Sequence, residues 1–132
     1  MRKAFSQTVF IVDDSAVVRE RLVTMLADLP SVDVIGQAGL AFEAVSAIRR
    51  LNPDVVILDI SMPGGSGIQV LETLKQQKAS PLTIMLTNFT HDQYRQKCFF
   101  LGADYFFDKS CEFDKVLDVL RAMPGPELLQ AA

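Results

Sequence analysis

Short apolar segments alternate along the chain with longer stretches in which apolar residues recur every three or four positions. The short segments are three to five residues long and rich in β-branched or aromatic side chains, as buried strands are. They comprise residues 9–12, 32–36, 55–58, 82–86 and 105–107. The longer stretches between and after them predict five amphipathic helices.

Each predicted helix has one apolar face that would pack on the sheet. In chain order, the predicted core positions are Val18, Leu22, Met25, Leu26 and Leu29; Phe42, Val45 and Ile48; Ile68, Leu71 and Leu74; Tyr94, Cys98 and Leu101; and Phe113, Val116, Leu117 and Leu120. Asn52-Pro53 is expected to end the second helix and Gly102 the fourth.

Five strands alternating with five helices predict βαβ units and a parallel sheet covered on both faces. Burial on both faces explains why the strands are almost continuously apolar. With 132 residues and no repeat or linker, the chain has the size of one domain. We expect that domain at residues 1–123, followed by a short tail at 124–132, with no output domain.

Composition excludes several classes of protein. The net charge of −3 and the isoelectric point near 5.0 argue against direct nucleic-acid binding. No apolar run reaches the ~18 residues that a membrane helix needs, and polar residues interrupt the N-terminal segment that could otherwise be a signal peptide. Cys98 and Cys111 lack metal-type spacing, so we expect two free thiols and a cytoplasmic location.

Polar residues follow four of the five predicted strands. Asp13-Asp14 follow the first, Asp59 the third, Thr87 the fourth, and Lys109 comes shortly after the fifth. In a doubly wound sheet the ligand crevice lies at the carboxyl ends of the strands, so these side chains should converge. Close carboxylates repel one another, and Lys109 together with a divalent cation such as Mg²⁺ would compensate them. Helix capping by Asp13 and Asp14 is an alternative, but it leaves Asp59 and Lys109 unexplained.

The order of these residues resembles the receiver domain of two-component response regulators, over nearly the whole chain. The motifs that carry the resemblance are Asp13-Asp14, Asp59 with Met62-Pro63 and Gly67, Thr87, Gly102-Ala103, and Lys109. The resemblance implies a flavodoxin-like α/β fold with five parallel strands in the order 2-1-3-4-5 and five helices.

The resemblance also implies the chemistry of the site. Asp59 would be the phosphoacceptor, attacking a phosphohistidine on a sensor histidine kinase or a histidine phosphotransfer protein. Asp14, Asp59 and the backbone carbonyl of Ser61 would bind Mg²⁺, and Asp13 would act through a bound water. The protein would catalyse only its own phosphorylation and dephosphorylation.

The remaining implied roles belong to the switch. Lys109 would pair with the phosphoryl oxygens, and Thr87 would donate a hydrogen bond to them. Phe106 occupies the position of the switch aromatic, where Tyr is frequent in the family; an ordinary core role is the alternative. Phe89, two residues after Thr87, is a departure from the common family pattern, and at this position it would shield the acyl phosphate from water.

One departure from the family pattern concerns the loop after the fifth strand. Ser110 follows Lys109 where the family usually has a proline in a cis bond. A cis bond without proline costs ~2.5–4 kcal/mol, so a trans bond is favoured here. His91, at the start of the fourth helix, is expected to be a surface residue.

Two functional classes remain open: a phosphorylatable signalling switch, and a receiver-like scaffold that binds a partner without phosphorylation. A flavodoxin-type cofactor carrier is a more distant alternative. The sequence does not identify the downstream partner. Its contact, or a homodimer contact, is expected on the face built by the fourth helix, fifth strand and fifth helix. Phe99 and Phe100 point about 100° apart on that helix, so at least one should be exposed, unless both wrap under the helix end.

Overall fold

The computed structural model describes residues 7–123. In chain order its elements are β1 (Gln7–Val12), α1 (Ala16–Leu26), β2 (Val32–Ala38), α2 (Ala41–Leu51), β3 (Val55–Leu58), β4 (Ser61–Met62), β5 (Gly65–Ser66), α3 (Gly67–Lys75), β6 (Leu82–Thr87), α4 (Asp92–Phe100), β7 (Tyr105–Asp108) and α5 (Lys115–Ala122).

The five long strands form one parallel sheet in the order β2-β1-β3-β6-β7. Because β6 and β7 are the fourth and fifth of the predicted strands, this is the predicted order, and the α/β flavodoxin-like fold is confirmed. The predicted strand cores are all present, and β1 begins two residues earlier than predicted, at Gln7. The predicted tail at 124–132 lies outside the described residues.

The core has two layers, one on each face of the sheet. Alternate residues of β1 point to opposite faces, so Phe10 packs in one layer and Ile11 in the other. The first layer contains the buried faces of α2, α3 and α4, and the second contains those of α1 and α5. Covering both faces leaves the carboxyl ends of the strands as the open edge that can hold a site.

The predicted register of α2 is wrong at Phe42, whose side chain is 65% exposed. The stripe of α2 that faces the sheet consists instead of Ala41, Ala44 and Ile48. Alanines at these positions satisfy the helical period as well as the larger residues do, and their small side chains let the helix lie close to the sheet. The bulky ring of Phe42 is left on the outer side.

The glycine-rich segment after β3 contains a short antiparallel ladder, in which Ser61 and Met62 pair with Ser66 and Gly65. The turn between them needs a positive φ, which Gly64 adopts at 75°. Next to it, Gly67 lies so close to the chain that a Cβ there would overlap the carbonyl oxygen of Asp59. This segment is therefore folded back against the strand end that carries Asp59.

Candidate functional site

The carboxyl ends of β1, β3, β6 and β7 bring the predicted site residues together. Lys109 is central: its Nζ lies 2.7 Å from Asp13 Oδ2 and 2.8 Å from Asp59 Oδ2. The backbone N–H of Lys109 donates to the carbonyl of Thr87 at 2.9 Å, which ties the ends of β6 and β7. The convergence predicted from the strand ends is thus present in the structure.

The two carboxylates bound to Lys109 are almost completely buried. Burial raises the pKa of Asp13, although hydrogen bonds from Lys109 and from the N–H of Ser15 act in the opposite direction. For Lys109, burial alone would lower the pKa, but the hydrogen bonds to Asp13 and Asp59 outweigh it and the pKa is raised. Lys109 therefore remains a cation at neutral pH, and it compensates part of the buried negative charge.

The donor set fits a hard divalent cation. One carboxylate oxygen from each of Asp13, Asp14 and Asp59 lies within 4.8 Å of the other two. Within residues 7–123, Asp59 Oδ1 is a buried oxygen without a hydrogen-bond partner. A buried carboxylate oxygen is rarely left unpaired, and Mg²⁺ takes one or two carboxylates while keeping several waters. The exposed Asp14 leaves such a cation open to solvent.

A pocket of about 330 Å³ opens over these groups. It is lined by Asp14, Ser15, Val18, Asp59, Ser61, Asn88, Phe89 and Lys109. Ser61, predicted to supply a backbone carbonyl to the metal, therefore lines the same pocket as Asp14 and Asp59. Asn88 was not singled out from the sequence, because an asparagine after a strand is also an ordinary turn residue.

Asp13 is held from both its side chain and its backbone. Its Oδ1 accepts the N–H of Ser15 at 2.9 Å, and its carbonyl accepts Nη1 of Arg19 at 2.7 Å. Arg19 Nε also donates to Gln37 Oε1 at 2.9 Å, so the guanidinium links α1, β2 and the end of β1. Ser15, not Asp13, caps α1, by accepting the N–H of Val18 at 3.2 Å. Sequence reasoning missed Arg19, because an arginine on a helix gives no signal of such a contact.

Thr87 is fully buried, and its hydroxyl oxygen accepts the N–H of Phe89 at 3.1 Å. The pocket wall is formed in part by Phe89, whose ring is 41% exposed and packs edge-on against Tyr94, with 5.9 Å between centroids. Phe89 thus lines the pocket, and its role in shielding the acyl phosphate stays a prediction.

Phe106 is buried and points inward. The guanidinium carbon of Arg95 lies 4.9 Å from its ring centroid, and the ring of Phe99 is 6.3 Å away. Phe99 is 43% exposed and Phe100 is 84% exposed, which confirms that at least one of them faces solvent. The surface of α4 therefore carries a highly exposed aromatic, Phe100, directly after Phe99, whose ring contacts the buried Phe106.

The Lys109–Ser110 peptide bond is trans, as favoured from the sequence. Asp108 Oδ1 accepts both the N–H and the hydroxyl of Ser110, at 2.8 and 2.6 Å, and Glu112 Oε1 accepts the N–H of Asp108 at 3.0 Å. The bonds from Ser110 lower the pKa of Asp108. This side-chain network shapes the loop where the family usually places proline.

Three residues considered from the sequence lie away from the pocket lining. His91 is exposed at the start of α4. Cys98 and Cys111 are free thiols, the first buried and the second exposed. Burial raises the pKa of the Cys98 thiol to about 11, so it is neutral and unreactive at neutral pH. Within residues 7–123, every helix is too short or too polar to cross a bilayer.

Similarity to known proteins extends over nearly the whole chain. The model of the response regulator receiver domain family matches residues 9–121. A crystal structure of the response regulator domain of Thermotoga maritima CheB superposes with a TM-score of 0.80 at 31% identity, covering 88% of this chain and 94% of that chain.

Two curated relatives are larger than this chain. The protein-glutamate methylesterase/protein-glutamine glutaminase 1 of Rhizobium johnstonii is 48% identical over 83 residues, which is 63% of this chain and 24% of the relative. The DNA-binding transcriptional activator DevR/DosR of Mycobacterium tuberculosis is 34% identical over 115 residues, which is 87% of this chain and 52% of the relative. The chain thus spans about a quarter and about half of their lengths.

Proposed function

The chain belongs to the response regulator receiver domain family, and we propose that it is a phosphorylatable signalling switch of a two-component system. A sensor histidine kinase or a histidine phosphotransfer protein supplies the phosphoryl group, and Asp59 accepts it. The observation that carries this proposal is the Asp59 carboxylate, which lines the pocket with one oxygen bound to Lys109 and the other buried without a partner.

The proposed reaction uses Asp59 as a nucleophile. One carboxylate oxygen bonds to phosphorus while the phosphorus–nitrogen bond of the phosphohistidine breaks. The electron pair of that bond stays on the imidazole nitrogen, which takes a proton from water, and the product is an acyl phosphate on Asp59. Phosphoryl transfer passes through a loose transition state, so positioning and charge neutralisation supply most of the rate enhancement. Lys109 Nζ, at 2.8 Å from the nucleophile, can move to the phosphoryl oxygens as they arrive.

The proposed metal is Mg²⁺, held by Asp14, Asp59 and the backbone carbonyl of Ser61, with Asp13 acting through a water. Three clustered carboxylates and the unpaired Asp59 Oδ1 support this assignment. When bound, the ion would supply positive charge, in addition to that of Lys109, to stabilise the charge that develops on the transferring group. Arg19 and the Ser15 N–H hold Asp13 in place for this arrangement.

The acyl phosphate adds roughly −1.5 to −2 units of charge at the carboxyl end of β3. In the proposed switch, the Thr87 hydroxyl leaves the Phe89 N–H and donates to the new phosphoryl oxygens, and Phe106 adjusts behind it. The signal then reaches α4, β7 and α5, where Phe100 offers an exposed aromatic anchor. We assign this face to a downstream protein or to a homodimer.

The proposal limits the protein's chemistry to its own phosphorylation and dephosphorylation. The match to the methylesterase covers only 24% of that relative, and esterase activity is not part of the proposal. Two free thiols and a phosphohistidine donor are consistent with the cytoplasm, which we take as the location.

Intact-mass measurement after incubation with Mg²⁺ and acetyl phosphate tests the proposal. We expect wild type to gain the mass of one phosphoryl group and Asp59→Asn to gain none. Asp28→Asn is the matched control, because Asp28 is an exposed aspartate away from the pocket lining. Equal incorporation by wild type and Asp59→Asn would refute the acceptor assignment. No incorporation into wild type would favour the phosphorylation-independent scaffold.

A further inference from the structure

The outer face of α2 is exposed and has no use in the proposed switch. It carries Phe42, Glu43, Ser46, Arg49 and Arg50, all of which are exposed. Within residues 7–123 their side chains form no hydrogen bond or ion pair with the rest of the protein. A large exposed aromatic among unpaired charges is typical of a surface that binds another protein.

The residues of this face are arranged symmetrically about Ser46. At about 100° per residue, Phe42 and Arg49 lie within about 20° of each other on one side of Ser46, and Glu43 and Arg50 do so on the other side. Within each of these two pairs, the residues are seven positions apart, which is about 10.5 Å along the helix axis. Ser46 therefore lies at the middle of the face in both directions, and its small side chain permits close approach.

We propose that this face binds the same face of a second copy of the chain, with the two α2 helices antiparallel and crossing at Ser46. A two-fold axis at that point places Glu43 of each copy against Arg50 of the other. On the opposite side it places Phe42 of each copy under the guanidinium of Arg49 of the other. Each contact is made twice, as a two-fold interface requires, and each joins groups that attract: an ion pair and a cation–π pair.

The charges select a second copy as the occupant. A face of one sign would repel itself, whereas Glu43 and Arg50 at opposite ends of α2 complement each other only when the helices are antiparallel. A groove of about 360 Å³ runs beside this face between α2 and the end of β2, with Gln37, Ala38 and Ala47 in its wall. It leaves room for the Arg50 side chain of the second copy beside Glu43.

The position of α2 keeps this contact separate from the switch. β2, on which α2 packs, is the edge strand opposite β7, so the dimer covers neither the pocket nor the face of α4 and β7. The association should therefore be independent of phosphorylation. One pair of helices buries less area than a standard interface, so we expect a weak dimer, with a Kd on the order of 0.1 mM.

Charge reversal tests the proposal, with self-association of the full chain measured by sedimentation equilibrium up to about 1 mM, a concentration above the expected Kd. Glu43→Arg and Arg50→Glu should each weaken the dimer by at least about tenfold, because both symmetric ion pairs become repulsive. An equimolar mixture of the two single variants should regain the association, since each introduced charge then faces an opposite charge on the other copy. The double variant should regain it alone, and Phe42→Ala should lose it.

Recovery in the mixture also controls for folding, because neither variant could associate if it were unfolded. Phe100→Ser, which alters an exposed aromatic of α4, should leave this association unchanged. A monomeric wild type up to that concentration would overturn the proposal. So would failure of the mixture to associate better than either single variant. Loss of phosphorylation in the intact-mass test, with this association retained, would refute the proposed function alone.

Discussion

The Thr87 hydroxyl oxygen accepts the backbone N–H of Phe89 at 3.1 Å. Of Thr87 and Lys109, only Lys109 bonds to the side chain of Asp59. The cation of the site is therefore in place before any phosphoryl group arrives, but the hydroxyl is engaged with the loop after β6. Charge compensation is thus assigned to Lys109, after β7, and switching to Thr87, at the end of β6. The loop after β6 leads directly into α4, so a change at Thr87 can reach the exposed face of that helix.

Replacement of Thr87 tests this separation. We expect Thr87→Ala to be phosphorylated on Asp59, since Lys109 and the carboxylates are untouched, but to lose the conformational response. In ¹H–¹⁵N spectra recorded with and without acetyl phosphate and Mg²⁺, wild type should show shift changes that extend to Phe106 and α4. In Thr87→Ala those changes should stay within the pocket. Thr87→Ser retains the hydroxyl and should behave as wild type, and equal propagation in the alanine variant would contradict the assignment.

Metal binding can be followed through stability. If Asp14 is a ligand, Mg²⁺ should stabilise wild type by about 2.7 kcal/mol at a concentration 100 times its Kd, because the ion binds only the folded state. Asp14→Ala should lose this gain and, since Asp14 is exposed, should change metal-free stability by no more than about 0.5 kcal/mol. Thermal unfolding with and without Mg²⁺ measures both effects, with Asp28→Asn as the control that keeps the gain. The same gain in Asp14→Ala would remove Asp14 from the ligand set.

The parallel sheet was predictable because its strands are short, apolar and separated by segments with helical periodicity. An error in the register of one helix does not change this alternation. The register of α2 was not predictable, because Ala41 and Ala44 are three positions apart, as the bulkier Phe42 and Val45 are, and the large side chain of Phe42 was taken as a sign of burial. The ladder between β4 and β5 was also missed. It rests on a glycine turn anchored against the carbonyl of Asp59, which is a tertiary contact.

The site residues could be predicted because strand order places their backbones at one edge of the sheet. Side-chain direction is a different matter. The bond between Arg19 and the Asp13 carbonyl depends on an arginine rotamer reaching back from α1. The engagement of Thr87 with Phe89, and of Ser110 with Asp108, likewise depends on local geometry that residue type does not specify.

Phe89 is expected to lengthen the life of the acyl phosphate. Phe89 is partly exposed and lines the pocket with Asp59 and Lys109, so we expect it to limit the approach of water to phosphorus. We expect Phe89→Ala to hydrolyse roughly three to ten times faster than wild type, a change of at most about 1.4 kcal/mol in the barrier. The measurement is the decay of the phosphorylated mass after the donor is removed.

Phe89→Leu is the matched control for that measurement, because it keeps an apolar side chain over the pocket and should decay nearly as slowly as wild type. Unchanged or slower decay in Phe89→Ala would contradict the shielding role. Loss of phosphorylation in the first place would instead indicate a role in folding the loop after β6, and a thermal unfolding curve separates the two.

Phe100 is expected to serve the phosphorylated state at the face of α4, β7 and α5. Its side chain is 84% exposed, so Phe100→Ser should change the free energy of unfolding by no more than about 0.5 kcal/mol and leave Asp59 phosphorylation intact. If this face forms a homodimer, acetyl phosphate and Mg²⁺ should increase self-association of wild type, and Phe100→Ser should reduce that increase at least about tenfold. Sedimentation velocity before and after phosphorylation measures it.

Phe42→Ser is the matched control for Phe100→Ser, since it alters an exposed phenylalanine on α2, which packs on β2, the edge strand opposite β7. It should remove the association that is present without phosphorylation and keep the phosphorylation-dependent increase, whereas Phe100→Ser should do the reverse. A wild type that gains no association on phosphorylation would exclude the homodimer at this face. An equal gain in wild type and Phe100→Ser would show that phosphorylation acts through a surface other than the exposed aromatic of α4.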